Sequence, residues 1–180
     1  YSYMNKNFFH SGNIIQIAYQ VDDVVKSAKD WSKRFSIGPF FVNEHIKLME
    51  SKVKGVHEIY DHSSAYAWNN NIMIELICDH DGKLSSKNGL GGIHHIAWMA
   101  SNFDEERSSL KSRGFEEVLY SRVQSRNGMQ FSWYESDLGI KHFIEVYEES
   151  LDLINFYKYI EEISKSWNGK NPVRAISDIS

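Results

Sequence analysis

The sequence predicts an α+β fold: two tandem βαβββ modules forming a mixed β-sheet, with an added C-terminal helix. Three observations predict it. Ile14-Ile15-Gln16-Ile17-Ala18-Tyr19 and Ile93-His94-His95-Ile96-Ala97-Trp98 have nearly the same shape, so that Gln16 falls on His95, Ala18 on Ala97 and Tyr19 on Trp98. Each is followed by the same succession: an acidic turn, a helical period, then strands ending in an apolar run with one glutamate. Residues 151–167 then carry Leu151, Ile154, Tyr157, Ile160 and Ile163 at helical spacing. The modules are expected at 13–79 and 93–149. A polar linker with four glycines joins them at 80–92, and the helix and a tail occupy 150–180.

Residues 1–12 show no period; Phe8 and Phe9 are expected to dock as an arm. Residues 14–21 alternate as a strand, with Gln16 and Ala18 on one face. Asp22 and Asp23 suit a helix N-terminus, where carboxylates satisfy free N–H groups and the dipole. That helix is expected to run through Val25, Ala28, Trp31 and Phe35 and to end at Gly38-Pro39. Strands or strand-like loops follow at 40–49 and 53–61, then a hairpin at 65–78 closed by Asn69-Asn70-Asn71. The second module repeats this, with Asn102 and Asp104 as caps and Gly114 as the left-handed stop. The helix at 151–167 is expected on the outside of a sheet, and residues from 168 as an extended tail.

Composition excludes several classes. An apolar fraction of 42% supports a sizeable core, and a net charge of −4 argues against a general nucleic-acid binder. No run is long and apolar enough to span a membrane, and no signal peptide is seen. Cytoplasmic location is the resulting expectation. The single cysteine, Cys78, reads as a small buried filler rather than a nucleophile. No Walker loop, zinc-finger spacing or Ser/His/Asp signature is present.

The chemistry lies at four matched positions. Glu75 shares a strand face with Met73 and Ile77, and Glu145 with Phe143 and Tyr147; the repeat pairs Glu75 with Glu145 as it pairs Gln16 with His95. Two inward carboxylates repel and lose hydration, at several kcal/mol apiece, unless a cation lies between them. Gln16, Glu75, His95 and Glu145 are therefore the expected metal ligands. Three oxygens and one nitrogen suit Zn, Ni, Co, Mn or Mg rather than a thiolate zinc site. An iron and dioxygen site wants two histidines and one carboxylate, which demotes an Fe(II) dioxygenase. His94 and His142 read as shell or surface residues, and His10, His45, His57, His62 and His80 as incidental. Trp68, Phe131 and Trp133 are the expected substrate-binding residues; Tyr19, Trp98 and Tyr134 are further candidates for the cavity wall. Arg34, Arg122 and Arg126 are candidates to meet an anionic group such as a carboxylate or a coenzyme A.

The stretches Gln16-Ile17-Ala18-Tyr19-Gln20-Val21-Asp22-Asp23, Gly91-Gly92-Ile93-His94-His95-Ile96-Ala97 and Phe143-Ile144-Glu145-Val146 resemble the vicinal oxygen chelate superfamily over residues 13–148. That superfamily includes glyoxalase I, methylmalonyl-CoA epimerase, extradiol dioxygenases and bleomycin-resistance proteins. The resemblance implies paired modules making a cupped sheet around a metal held by four side chains. The order Gln, Glu, His, Glu is similar to the eukaryotic type of glyoxalase I. Trp31, Ile37-Gly38-Pro39-Phe40-Phe41 and the segment Trp167 to Arg174 resemble a bacterial glyoxalase-like subgroup. The glutathione-binding residues of glyoxalase I have no match here. The implied activity is that of a metal-dependent isomerase, epimerase or lyase, moving a proton next to a substrate carbonyl through a metal-stabilised enediolate. Glu145 is then the main base, and Glu75 a second base or fixed ligand. The alternative is a small-molecule binding protein of the same fold without turnover. The expected partners are a small-molecule substrate and a second copy in a homodimer.

Overall fold

A computed structural model describes residues 12–179. The expected arm of Phe8 and Phe9, and His10 with it, lie outside the described residues. The first half of the chain contains β1 (Gln16–Gln20), α1 (Val24–Phe35), β2 (Phe40–Asn43), β3 (Leu48–Val53), β4 (Val56–His57), β5 (His62–Asn69) and β6 (Ile72–Asp79). The second contains β7 (Ile93–Ala100), α2 (Phe103–Ser112), β8 (Glu116–Val123), β9 (Met129–Glu135) and β10 (Phe143–Glu148). The chain closes with α3 (Leu151–Ser166) and β11 (Val173–Ala175).

Among the described residues the strands form one mixed sheet, in the order β11-β2-β5-β6-β1-β7-β10-β9-β8-β3-β4. The halves join within the chain, where β1 runs antiparallel to β7. On either side of that joint the registers repeat. Ala18 stands opposite Glu75 on parallel β6, and Ala97 opposite Glu145 on parallel β10. The sheet wraps into a cup. On a flat sheet β2 and β8 would stand seven spacings apart, about 34 Å at ~4.8 Å each. Yet Asn43 at the end of β2 and Val123 at the end of β8 line the same cavity.

Strand alternation sends one set of side chains into the cup and the other beneath the helices. Ile74, Leu76 and Cys78 pack with Val24 and Ala28 of α1, and Ile144 and Val146 with Phe103 and Leu110 of α2. Met73, Ile77, Phe143 and Tyr147 face the other way, into the core that also holds Leu153, Phe156, Tyr157 and Ile160 of α3. The helix starts follow from their caps: Asp23 accepts from the Lys26 N–H at 2.9 Å, Asn102 from Glu105 at 3.2 Å and Ser150 from Leu153 at 3.4 Å.

Four expectations are corrected. The helix at the C-terminus does not pack outside the sheet but fills the cup: its amphipathic stripe predicts burial without saying against which face. The segment after it is no tail, because β11 pairs in parallel with β2. Helix α1 ends at Ser36, which is left-handed (φ 56°), two residues before Gly38-Pro39. The residues between β2 and β5 do not stay with their own half: β3 pairs with β8, carrying β4 on its outer edge.

Candidate metal centre

Gln16 on β1, Glu75 on β6, His95 on β7 and Glu145 on β10 come from four adjacent strands and meet at the bottom of the cup. All are buried, none more than 3% exposed. His95 Nε2 lies 2.8 Å from Glu145 Oε2 and 3.1 Å from Glu75 Oε2. The Gln16 amide nitrogen donates to Glu75 Oε2 at 2.6 Å and to Glu145 Oε2 at 3.4 Å, and stands 3.2 Å from His95 Nε2. Glu75, His95 and Glu145 thus offer three ligand atoms within 4.8 Å of one another. Burial alone would lower the His95 imidazolium, but Glu145 and Glu75 reverse this and hold its pKa up to about 10. In this arrangement a proton on His95 partly neutralises two carboxylates. A divalent cation fits the same oxygen and nitrogen donors and the same excess of negative charge, so the centre can hold one.

A β-bulge prepares His95. Between Ala18 and Tyr19 the register to β7 slips from His95 to Ile93, leaving His94 as the extra residue. His94 therefore turns inward beside His95 instead of taking the opposite face. Its Nε2 donates to the Leu84 carbonyl at 2.7 Å, and its Nδ1 lies 2.8 Å from His95 Nδ1. Burial keeps His94 well below the usual histidine range, hence neutral. A carbonyl only accepts, so the His94 proton sits on Nε2 and its Nδ1 accepts from His95 Nδ1–H. The lone pair of a neutral His95 is thereby confined to Nε2, the atom facing the carboxylates.

Gln16 is held from the opposite side. Tyr157 on α3 donates its hydroxyl to Gln16 Oε1 at 2.6 Å, so the amide shows its NH₂ to the centre and its carbonyl to α3. Sequence reasoning missed Tyr157 because nothing at 151–167 reveals that α3 enters the cup.

The cavity above the centre is small, with a volume of about 50 Å³. Phe131 and Trp133 line it, as do Arg126 and the α3 side chains Leu153, Phe156 and Tyr157. Trp68 does not line it. Its indole is edge-on to Tyr157 and donates to the Asn70 carbonyl, which places it behind the wall. Tyr19 and Trp98 pack under α1 and α2, and Tyr134 with Trp98, away from the ligands. His62, expected to be incidental, lines the cavity, and burial lowers its pKa to about 4. No spacing announces it; its inward position depends on where β5 begins. A second group, His45, Asp61 and His80, lies near the surface. There the two imidazoles stack at 4.4 Å, and His45 Nδ1 lies 2.8 Å from Asp61 Oδ2. His142 sits apart, its Nδ1 against the Phe143 carbonyl.

Among solved structures the chain is similar to methylmalonyl-CoA epimerase from Mycobacterium tuberculosis, at 15% identity and a TM-score of 0.49 over 79% of this chain and 91% of that one. It is also similar to Streptomyces coelicolor methylmalonyl-CoA epimerase bound to 2-nitronate-propionyl-CoA, at 13% identity and a TM-score of 0.44 over 76% and 96%. No curated protein sequence matches it. No helix among the described residues is long and apolar enough to cross a membrane. Residues 15–133 match the family model of the glyoxalase/bleomycin resistance protein/dioxygenase superfamily, and the chain belongs to that superfamily.

Proposed function

We propose that this protein is a metal-dependent isomerase, epimerase or lyase of the glyoxalase I type, which moves a proton at a carbon next to a substrate carbonyl. The observation that carries this reading is the buried convergence of Glu75, His95 and Glu145 at the bottom of a cavity. His95 through Nε2, Glu75 and Glu145 would hold the ion, with Gln16 as fourth ligand. When bound, a divalent ion supplies Lewis-acid polarisation of a substrate oxygen.

The rest falls to the side chains. Glu75 accepts from Ser64 Oγ through Oε1 at 2.5 Å, a bond that survives a turn of the Gln16 amide, fixes the carboxylate and leaves Oε2 for the ion. Glu145 accepts from His95 and, at the longer distance of 3.4 Å, from Gln16. It is the less restrained carboxylate, and so the base that takes the substrate proton and returns it. Gln16 presents its carbonyl to the centre by turning its amide over. Tyr157 Oη then accepts from the NH₂ instead of donating to the oxygen, since a phenol does either.

Metal analysis of untagged protein, together with solvent-deuterium incorporation at carbons next to a carbonyl, tests the proposal. About one divalent ion per chain is expected. Glu145→Gln is expected to keep the ion and lose the exchange. Wild-type protein purified without chelator that neither carries nor takes up Zn, Ni, Co, Mn or Mg would overturn the reading.

A further inference from the structure

We infer that the substrate is a compact free organic acid, not a coenzyme thioester, whose anionic group meets Arg126 while its carbonyl faces the Glu75–His95–Glu145 centre. This rests on the function proposed above and adds the class of molecule on which that site acts.

The first observation is a cation without an anion. Arg126 lines the cavity beside Phe156 and is the one Lys or Arg doing so among the described residues. Its guanidinium lies 4.3 Å from the centre of the Phe156 ring, and its one hydrogen bond among the described residues is a long contact of 3.4 Å to the Asp152 carbonyl. It pairs with no carboxylate among the described residues: the Asp152 side chain is taken by Asn127 at 2.8 Å. Burial lowers its pKa from the ordinary value, outweighing its acidic neighbours. A half-buried guanidinium beside a cavity, with most of its five donors unused, is built for a bidentate oxyanion.

The second observation is independent of Arg126. Trp133 Nε1–H and His62 Nδ1 are buried, line the same cavity and have no hydrogen-bond partner among the described residues. Buried polar atoms are normally satisfied, so two orphans on one wall call for an occupant with oxygen atoms there. An indole only donates, so the atom it meets must be an acceptor.

The third observation limits size. The cavity volume is about 50 Å³, and one water needs ~10–15 Å³. One of its walls is the helix α3. Leu153, Phe156 and Tyr157 of α3 are each at most 5% exposed and belong to the main core, and Tyr157 is tied to Gln16. Admitting a long pantetheine arm means lifting part of that core, whereas a small acid needs only the existing space.

Calorimetric titration of the metal-loaded full chain decides the matter. The probes are 2-oxo acids from pyruvate to phenylpyruvate, their methyl esters, and propionyl-CoA. At least one acid is expected to bind about ten- to a hundredfold tighter than its ester, the value of one charge-assisted hydrogen-bonded pair. Propionyl-CoA is expected not to bind. Arg126→Gln should erase the preference for acid over ester with metal content unchanged, and Arg126→Lys should keep part of it. If every acid in the series binds no better than its ester, or if propionyl-CoA binds tightest, the inference falls. The comparison of acid with ester in the wild type needs no variant to fold. A protein that binds no metal yet still prefers the acid through Arg126 would sink the proposed function and leave the anion site standing.

Discussion

The β1–β6 corner and the β7–β10 corner are one design used twice, and their difference is instructive. In each, a polar side chain stands two residues before a buried alanine, and that alanine faces a glutamate on the parallel neighbour. The surroundings of the two glutamates have diverged. Glu75 has Ser64 and Gln16 as close donors, and Tyr66 across the hairpin. Glu145 has Trp133 across the hairpin, whose Nε1–H meets nothing among the described residues. Duplication accounts for the symmetric cup; on our proposal, the unequal hydrogen bonding separates a fixed carboxylate from a working one.

The sharpest way to break this comparison is to neutralise each carboxylate in turn. Glu145→Gln is expected to lower proton exchange by about 10²–10⁴-fold, the usual worth of a positioned base, with the ion retained. Glu75→Gln is expected to lose the ion first. If both variants lose metal equally, the two corners are equivalent and the division of roles is wrong.

Acid and alkali should then act on different histidines of the cup. His62 is neutral in the fold with its pKa lowered to about 4, whereas an unfolded histidine titrates near 6.5. Below pH 6.5 the unfolded chain therefore binds a proton that the fold refuses. Stability should decline toward pH 4 by on the order of 3 kcal/mol. His95 has the opposite sign. Its folded pKa is raised to about 10, so in chelated protein its contribution is full below pH 6.5 and is lost as the pH rises toward 10. Urea unfolding against pH should show both limbs. His62→Gln should flatten the acid limb alone, and added metal should remove the alkaline one.

A smaller effect tests the support from α3. Tyr157→Phe leaves the buried Gln16 oxygen without its phenol donor and should cost about 1–3 kcal/mol, read as a shift in unfolding midpoint. The smallest change makes the two halves more alike. Helix α2 is followed by Gly114 with φ 87°, whereas α1 ends on Ser36 with φ 56°. Ser36→Gly should stabilise by about 1 kcal/mol, since only glycine takes that conformation without a Cβ penalty.

Much of this was legible in the chain itself. The pairing of Gln16 with His95 and of Glu75 with Glu145 follows from strand alternation repeated at matched positions, and the same four side chains meet in the cup. What stayed hidden depends on which surfaces meet rather than on local period. The stripe on α3 specifies a buried face, not the concave side of a sheet. The inward turn of His94 needs a bulge that no residue type announces. Trp68 has the size and polarity of a cavity residue, yet it lies one layer behind, against Tyr157. His62 has no partner in sequence, and its orphan nitrogen becomes meaningful only once Trp133 and Arg126 stand around the same space.

The arm formed by β3 and β4 bears on how the chain acquires its shape. Ser51 of β3 bonds Ser121 of β8 at a separation of 70 residues, so this edge has no partner until the other half has been made. The last sheet pairing, between β11 and β2, waits longer still. Such distant closures slow folding and couple the repeats into a single cooperative unit. A fragment ending at residue 92 would leave β3 with only the two-residue β4 beside it and both β1 and β2 open along one edge, which makes it prone to association rather than a small stable copy of the whole.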